Sequence, residues 1–184
     1  MRLLSKDVQA IIIDYQEKLV PVMEEKERLL TQSVKLIKGL NQLDIPMLVT
    51  QQYTKGLGDT VAEIKEAVQG DKKTWTYFDK ITFSCLQDKV IAAALDSNNR
   101  TCVLLCGIEA HICLMQTAID LRERGYEVVV VVDCVDSRKK IDKEIGLERL
   151  RMEGCIFATV ESILFELQLT AKSPSFRSIS NLIK

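Results

Sequence analysis

Histidine is nearly missing from this 184-residue sequence, in which His111 stands alone. A two-histidine metal site is therefore excluded, as is any mechanism that needs two imidazoles. Net charge is nearly missing too, with 25 Lys plus Arg set against 26 Asp plus Glu. No net field draws such a chain to nucleic acid or to an anionic membrane. No segment approaches the roughly 18–20 apolar residues that span a bilayer. The N-terminal stretch is broken by Ser5, Lys6, Asp7 and Gln9 and lacks a small-residue cleavage site, so it does not read as a signal peptide. There is no low-complexity linker, internal repeat or charge block, and the phosphate-loop pattern Gly-x-x-x-x-Gly-Lys is absent. These absences leave a small-molecule partner and a cytoplasmic location as the expectation, with residues 1–184 forming a single domain.

Cysteine, by contrast, occurs six times, as Cys85, Cys102, Cys106, Cys113, Cys134 and Cys155. Most of these lie inside apolar runs, as buried free thiols do, and not in the framework of a small disulfide-stapled domain. Cys102 and Cys106 are separated by three residues inside an expected strand, which is not a zinc-knuckle spacing. Neither a metal nor a cofactor is expected.

A hydrophobic content of 47% supports one sizeable core. Runs rich in β-branched residues, without polar alternation, occupy 8–13, 45–50, 101–106, 127–132 and 155–159, as strands buried on both faces do. Helical patterns fill the intervals at 26–43, 60–68, 87–95, 112–124, 143–152 and 162–169. Gly125 and Gly154 stand where helix C-caps fall, each just before the next strand. The alternation predicts an α/β chain, a three-layer doubly wound fold on a mostly parallel central sheet. Residues 172–184 are more polar and read as a possible C-terminal arm able to pack on a neighbouring copy.

In open sheets of this kind, ligands bind beyond the carboxyl ends of the strands, near the point where strand order reverses. Two strand ends carry suitable groups: Asp14-Tyr15-Gln16 after the first, and Gly107 through Cys113 after the run at 101–106. Cys113 opens the helical pattern at 112–124, where partial positive charge and free N–H groups are expected to lower its pKa and make it a nucleophile. Taken singly, each candidate has a plainer reading. Cys113 could be one more structural thiol, Asp14 a turn or cap residue, and Lys80 a solvated charge among the aromatics Tyr77, Phe78 and Phe83.

Together these segments resemble the isochorismatase-like cysteine hydrolases, the superfamily that includes nicotinamidases and N-carbamoyl amidohydrolases, and in particular its short isochorismatase-domain branch. The resemblance runs through Ile12-Ile13-Asp14-Tyr15-Gln16, Val49-Thr50-Gln51-Gln52-Tyr53, Phe78-Asp79-Lys80 and Gly107-Ile108-Glu109-Ala110-His111-Ile112-Cys113. It continues through Val132-Asp133, Ser137-Arg138 and Glu161-Ser162, and so covers essentially the whole chain. It implies an Asp14-Lys80-Cys113 triad, a cis peptide at Ile108-Glu109, an oxyanion hole from the Glu109 and Cys113 N–H groups, and a homo-oligomer. Nicotinamidases carry a His-x-His metal element, but residues 49–55 contain no histidine. True isochorismatases lack the cysteine, so retaining Cys113 favours amide-like C–N hydrolysis through a thioester. The alternatives are a catalytically silent binding module with a redox-sensitive thiol, and an isochorismatase-type ether hydrolase. Tyr53, Trp75, Phe78 and His111 are candidate substrate contacts, the aromatics being equally suited to a core or an interface.

Overall fold

The computed structural model describes residues 2–70 and 76–184. Six strands form one sheet: β1 (Val8–Ile13), β2 (Met47–Gln52), β3 (Tyr77–Lys80), β4 (Cys102–Ile108), β5 (Glu127–Asp136) and β6 (Ile156–Ala158). Every pairing is parallel and the order is β3-β2-β1-β4-β5-β6. The helices are α1 (Lys26–Gln42), α2 (Thr54–Leu57), α3 (Ala62–Gln69), α4 (Lys89–Ser97), α5 (Met115–Glu123), α6 (Lys140–Met152), α7 (Val160–Gln168) and α8 (Phe176–Ile183).

The sheet is central because β1 and β4 bury every residue. Successive side chains of a strand point to opposite faces, so Ala10 and Ile12 pack with Leu29, Leu36, Ile64 and Leu164 of α1, α3 and α7. Ile11 and Ile13 pack instead with Ile91, Leu95, Leu121 and Leu150 of α4, α5 and α6. The doubly wound, three-layer arrangement follows. Local signals agree with it: the Asp88 carboxylate caps α4 by accepting from the Val90 and Ile91 N–H groups, and Gly125 and Gly154 adopt φ of 85° and 80° after α5 and α6.

β3, the short α2 and the C-terminal stretch differ from the sequence expectation. β3 was not anticipated as a strand, because it has four residues, two of them charged, and lies at one edge of the sheet. The stretch 172–184 holds α8, whose Ile179 is fully buried on this chain's own α1 and α7, while Lys35 Nζ of α1 donates to the Ile183 carbonyl at 2.9 Å.

Candidate active site

Strand order reverses between β1 and β4, and their chains leave toward opposite faces of the sheet, opening a crevice beyond their carboxyl ends. Asp14 follows β1 with φ of 55°, a left-handed conformation that Asp tolerates better than most residues. β4 ends at Ile108, which is joined to Glu109 by a cis peptide bond. A π-helical turn, Ala110–Leu114, then carries Cys113 and runs directly into α5.

The crevice holds a fully buried ion pair. Lys80 Nζ, at the end of β3, lies 2.7 Å from Asp14 Oδ2, and both side chains have zero exposure. Such a pair is tolerated only when its remaining hydrogen-bonding capacity is satisfied. Asp14 Oδ1 accepts from Thr50 Oγ1 at 2.8 Å. The ammonium donates to Gln52 Oε1 at 2.7 Å and to the Phe83 carbonyl at 3.1 Å, with the Thr82 carbonyl at 3.3 Å. Four acceptors therefore surround three N–H bonds, and Lys80 acts as a fixed charge. Burial alone would lower this ammonium, but the Asp14 carboxylate beside it carries it above the ordinary lysine value. Gln52 is itself held, because Gln16 accepts its backbone N–H at 2.7 Å and donates to its carbonyl at 2.9 Å.

Cys113 is 6% exposed. The expected lowering of its thiol by a helix start is not what the geometry produces. Cys113 lies four residues into the turn, and burial, followed by the charge of Asp14, pushes the thiol well above its ordinary value, with Lys80 opposing only in part. The thiol therefore sits beside the Asp14 carboxylate, whose charge acts on it directly. Thr117 Oγ1 anchors the turn by donating to the Cys113 carbonyl at 2.7 Å and accepting the Cys85 N–H at 3.0 Å. Cys85 is a second buried thiol in this neighbourhood, pushed up to about 11 by burial and then by Asp14.

A family model described as the Isochorismatase domain matches residues 9–162. The chain belongs to the isochorismatase family. Isochorismatase domain-containing protein 2 of Danio rerio is 36% identical to it over 183 residues, covering 99% of this chain and 89% of that protein. A structure of the MAR1 ribonuclease from Caenorhabditis elegans aligns with a TM-score of 0.92 at 34% identity, over 100% of this chain and 92% of that one. The YcaC product of Escherichia coli, an octameric hydrolase of unknown specificity, shares the fold with a TM-score of 0.92 at 18% identity, over 100% and 89% of the two chains. The protein is thus an isochorismatase-family hydrolase with the α/β fold of its relatives. Among the described residues, no helix is long and apolar enough to cross a membrane.

Within this isochorismatase-family site, the three residues singled out from sequence converge: Asp14 and Lys80 are in contact, and both charges act on the Cys113 thiol. Tyr53, half exposed, lines a cavity of about 430 Å³ together with Lys80, Ile81, Thr82 and Lys89. Phe78 packs against the core under α4 and α5. His111 Nδ1 lies 3.0 Å from Ser137 Oγ, so its nearest partner is a protein hydroxyl. Trp75 lies outside the described residues. Sequence reasoning assigned no role to Thr50, Gln52, Thr117 or Cys85; the signal available for Thr50 and Gln52 was their place at the carboxyl end of β2, beside the switch point.

Proposed function

We propose that this isochorismatase-family hydrolase cleaves an amide-like C–N bond of a small metabolite through a thioester on Cys113. The observation that carries the reading is the buried Asp14–Lys80 pair at the strand-order switch, acting directly on the Cys113 thiol. Asp14 takes the thiol proton while Lys80 offsets the negative charge that moves between carboxylate and sulfur. The thiolate attacks the carbonyl carbon, and the N–H groups of Glu109 and Cys113 receive the developing oxyanion. The leaving amine collects the proton from Asp14. Water, giving a proton back to Asp14, then hydrolyses the thioester and restores the thiol. The chemistry uses only side chains and backbone of this chain, without metal or cofactor.

Six free thiols, all buried, suit a cytoplasmic location. Self-association has a surface available on α6, where Ile141, Ile145 and Met152 are exposed. A second reading comes from the C. elegans relative, whose name assigns it to RNA. The near-zero net charge and the complete burial of Asp14 and Lys80 favour the small-molecule reading over it.

Intact and peptide mass spectrometry after brief iodoacetamide treatment tests the site. The expected result is one early adduct, on Cys113, slowed about tenfold or more in Asp14→Asn. Equal labelling of several cysteines would count decisively against a Cys113 nucleophile. Cleavage of RNA oligonucleotides that persists in Cys113→Ala, with no turnover of amides or carbamoyl compounds by the parent protein, would replace the amidase reading with the ribonuclease one.

A further inference from the structure

We propose that Glu109 and Arg138 form a positioning clamp on the backbone that receives the oxyanion; the proposal rests on the reading of Cys113 as nucleophile with the Glu109 and Cys113 N–H groups as oxyanion donors. The mechanism above uses only the main chain of Glu109. Its side chain is nevertheless 6% exposed and turned into the protein. A carboxylate is buried at this depth only when paired and hydrogen-bonded. Glu109 Oε2 accepts the Arg138 backbone N–H at 3.0 Å and Arg138 Nε at 3.0 Å, while Oε1 lies 3.2 Å from the same Nε. Rotating Glu109 would leave a buried charge without partners, so its carboxylate ties its main chain to residue 138.

A second rung runs in parallel. His111 Nδ1 and Ser137 Oγ are 3.0 Å apart, so residues 109 and 111 of the nucleophile turn are braced by 138 and 137. The brace is rooted in regular structure. Ser137 follows directly on β5, its carbonyl accepts the Glu24 N–H at 3.2 Å, and the preceding Asp136 accepts the Glu25 N–H at 2.7 Å and pairs with Lys143 of α6 at 3.2 Å. From the other side, α6 presses Gly146 onto the turn so closely that a Cβ there would lie 3.0 Å from His111 Cα. The arrangement thus holds the Glu109 and Cys113 N–H groups against two elements of the scaffold. Placement matters here because an oxyanion donor acts only at hydrogen-bond distance from the charge that develops, and losing one outright costs about 10²–10³ in rate.

Two reactions of the same thiol separate the clamp from the nucleophile. With p-nitrophenyl acetate, the Cys113 sulfur attacks the carbonyl carbon, p-nitrophenolate leaves, the thiol proton passes to Asp14, and an oxyanion forms on the way to the acetyl thioester. With iodoacetamide, the sulfur displaces iodide from a saturated carbon and no oxyanion forms. Removing the guanidinium in Arg138→Met should slow acetylation about 10–100-fold while leaving alkylation of Cys113 within about twofold of the parent rate. Glu109→Ala should slow acetylation at least as much, and Glu109→Gln, whose amide oxygen still accepts from Arg138, should recover most of the loss. The loss should fall on the maximal rate and not on the half-saturating ester concentration.

The clamp is overturned if Arg138→Met slows alkylation and acetylation equally, which would mean a general disturbance of the site. It is equally overturned if the variant raises only the half-saturating concentration, which would make Arg138 a substrate contact. Failure of the parent protein to react at Cys113 with either reagent would instead remove the nucleophile reading, and the clamp with it. Thermal melts of each variant separate these outcomes from unfolding.

Discussion

Lys80→Met is expected to cost about 3–5 kcal/mol of folding stability near pH 8, the range for breaking a buried ion pair from one side. Methionine refills much of the lysine's volume, so the loss is electrostatic. The Asp14 carboxylate, with zero exposure, would keep its bond from Thr50 and its contact with the Cys113 thiol but have no counter-charge. Protonating that carboxyl relieves the penalty, so the variant should recover stability as pH falls from 8 toward 5. The parent protein should behave differently. Its Lys80 ammonium is raised above the ordinary lysine value, so the contribution of the pair is fully present below about pH 10.4, the ordinary value, and is lost only as pH rises through the higher value of the folded state. Adding Asp14→Asn to Lys80→Met should restore much of the stability while leaving the site inactive. Urea unfolding of the parent, both single variants and the double variant, at pH 5 and pH 8, measures the coupling. A loss below about 1 kcal/mol for Lys80→Met at pH 8, typical of an exposed pair, would show that the two charges are not held as described.

Gly107→Ala should be nearly as damaging, although it adds one methyl group. Gly107 has φ of 131°, which L side chains rarely adopt, and a Cβ there would lie 2.1 Å from the Ile13 carbonyl oxygen and 2.7 Å from Ile13 Cβ. Gly107 and Ile13 are register partners across β4 and β1, so neither main chain can yield without parting the two central strands. Conformational strain of about 1–3 kcal/mol and overpacking of about 1–3 kcal/mol together predict a loss of about 2–6 kcal/mol. Because Asp14 follows β1 and the Cys113 turn follows β4, the part of the protein that remains folded should also alkylate more slowly at Cys113. Urea titration combined with the labelling rate checks both. A variant as stable as the parent would mean that the backbone at Gly107 is much freer than its contacts imply.

Much of this was legible in the sequence because burial leaves a compositional trace. β1 was expected at its observed bounds, since a strand covered on both faces reads as an unbroken apolar run and Asp14 ends it. α1 was legible from the spacing of its leucines. β3 was not, because an edge strand of four residues with Asp79 and Lys80 leaves no such run. At the site, Asp14, Lys80 and Cys113 were named through family resemblance, since alone each had a plainer explanation. The state of the thiol could not be read. It depends on burial and on the distance to Asp14, neither of which is local in sequence, and both outweighed any effect of the helix start. The side-chain partners of Glu109 and His111 were equally hidden, because Ser137 and Arg138 reach them from 26–29 positions away.

One of the two charges of the site rides on an edge strand. β3 is hydrogen-bonded to the sheet along β2 only, whereas β1, which delivers Asp14, is flanked on both sides. Amide protons of β3 are therefore placed to exchange through local opening at a free energy below that of global unfolding, while those of β1 and β4 exchange only when the whole sheet comes apart. Each such opening lifts Lys80 away from Asp14 and switches off the charge balance around Cys113 while the core stays intact. Mild heat or dilute denaturant would thus silence the enzyme at its rim, reversibly, before the fold itself begins to melt.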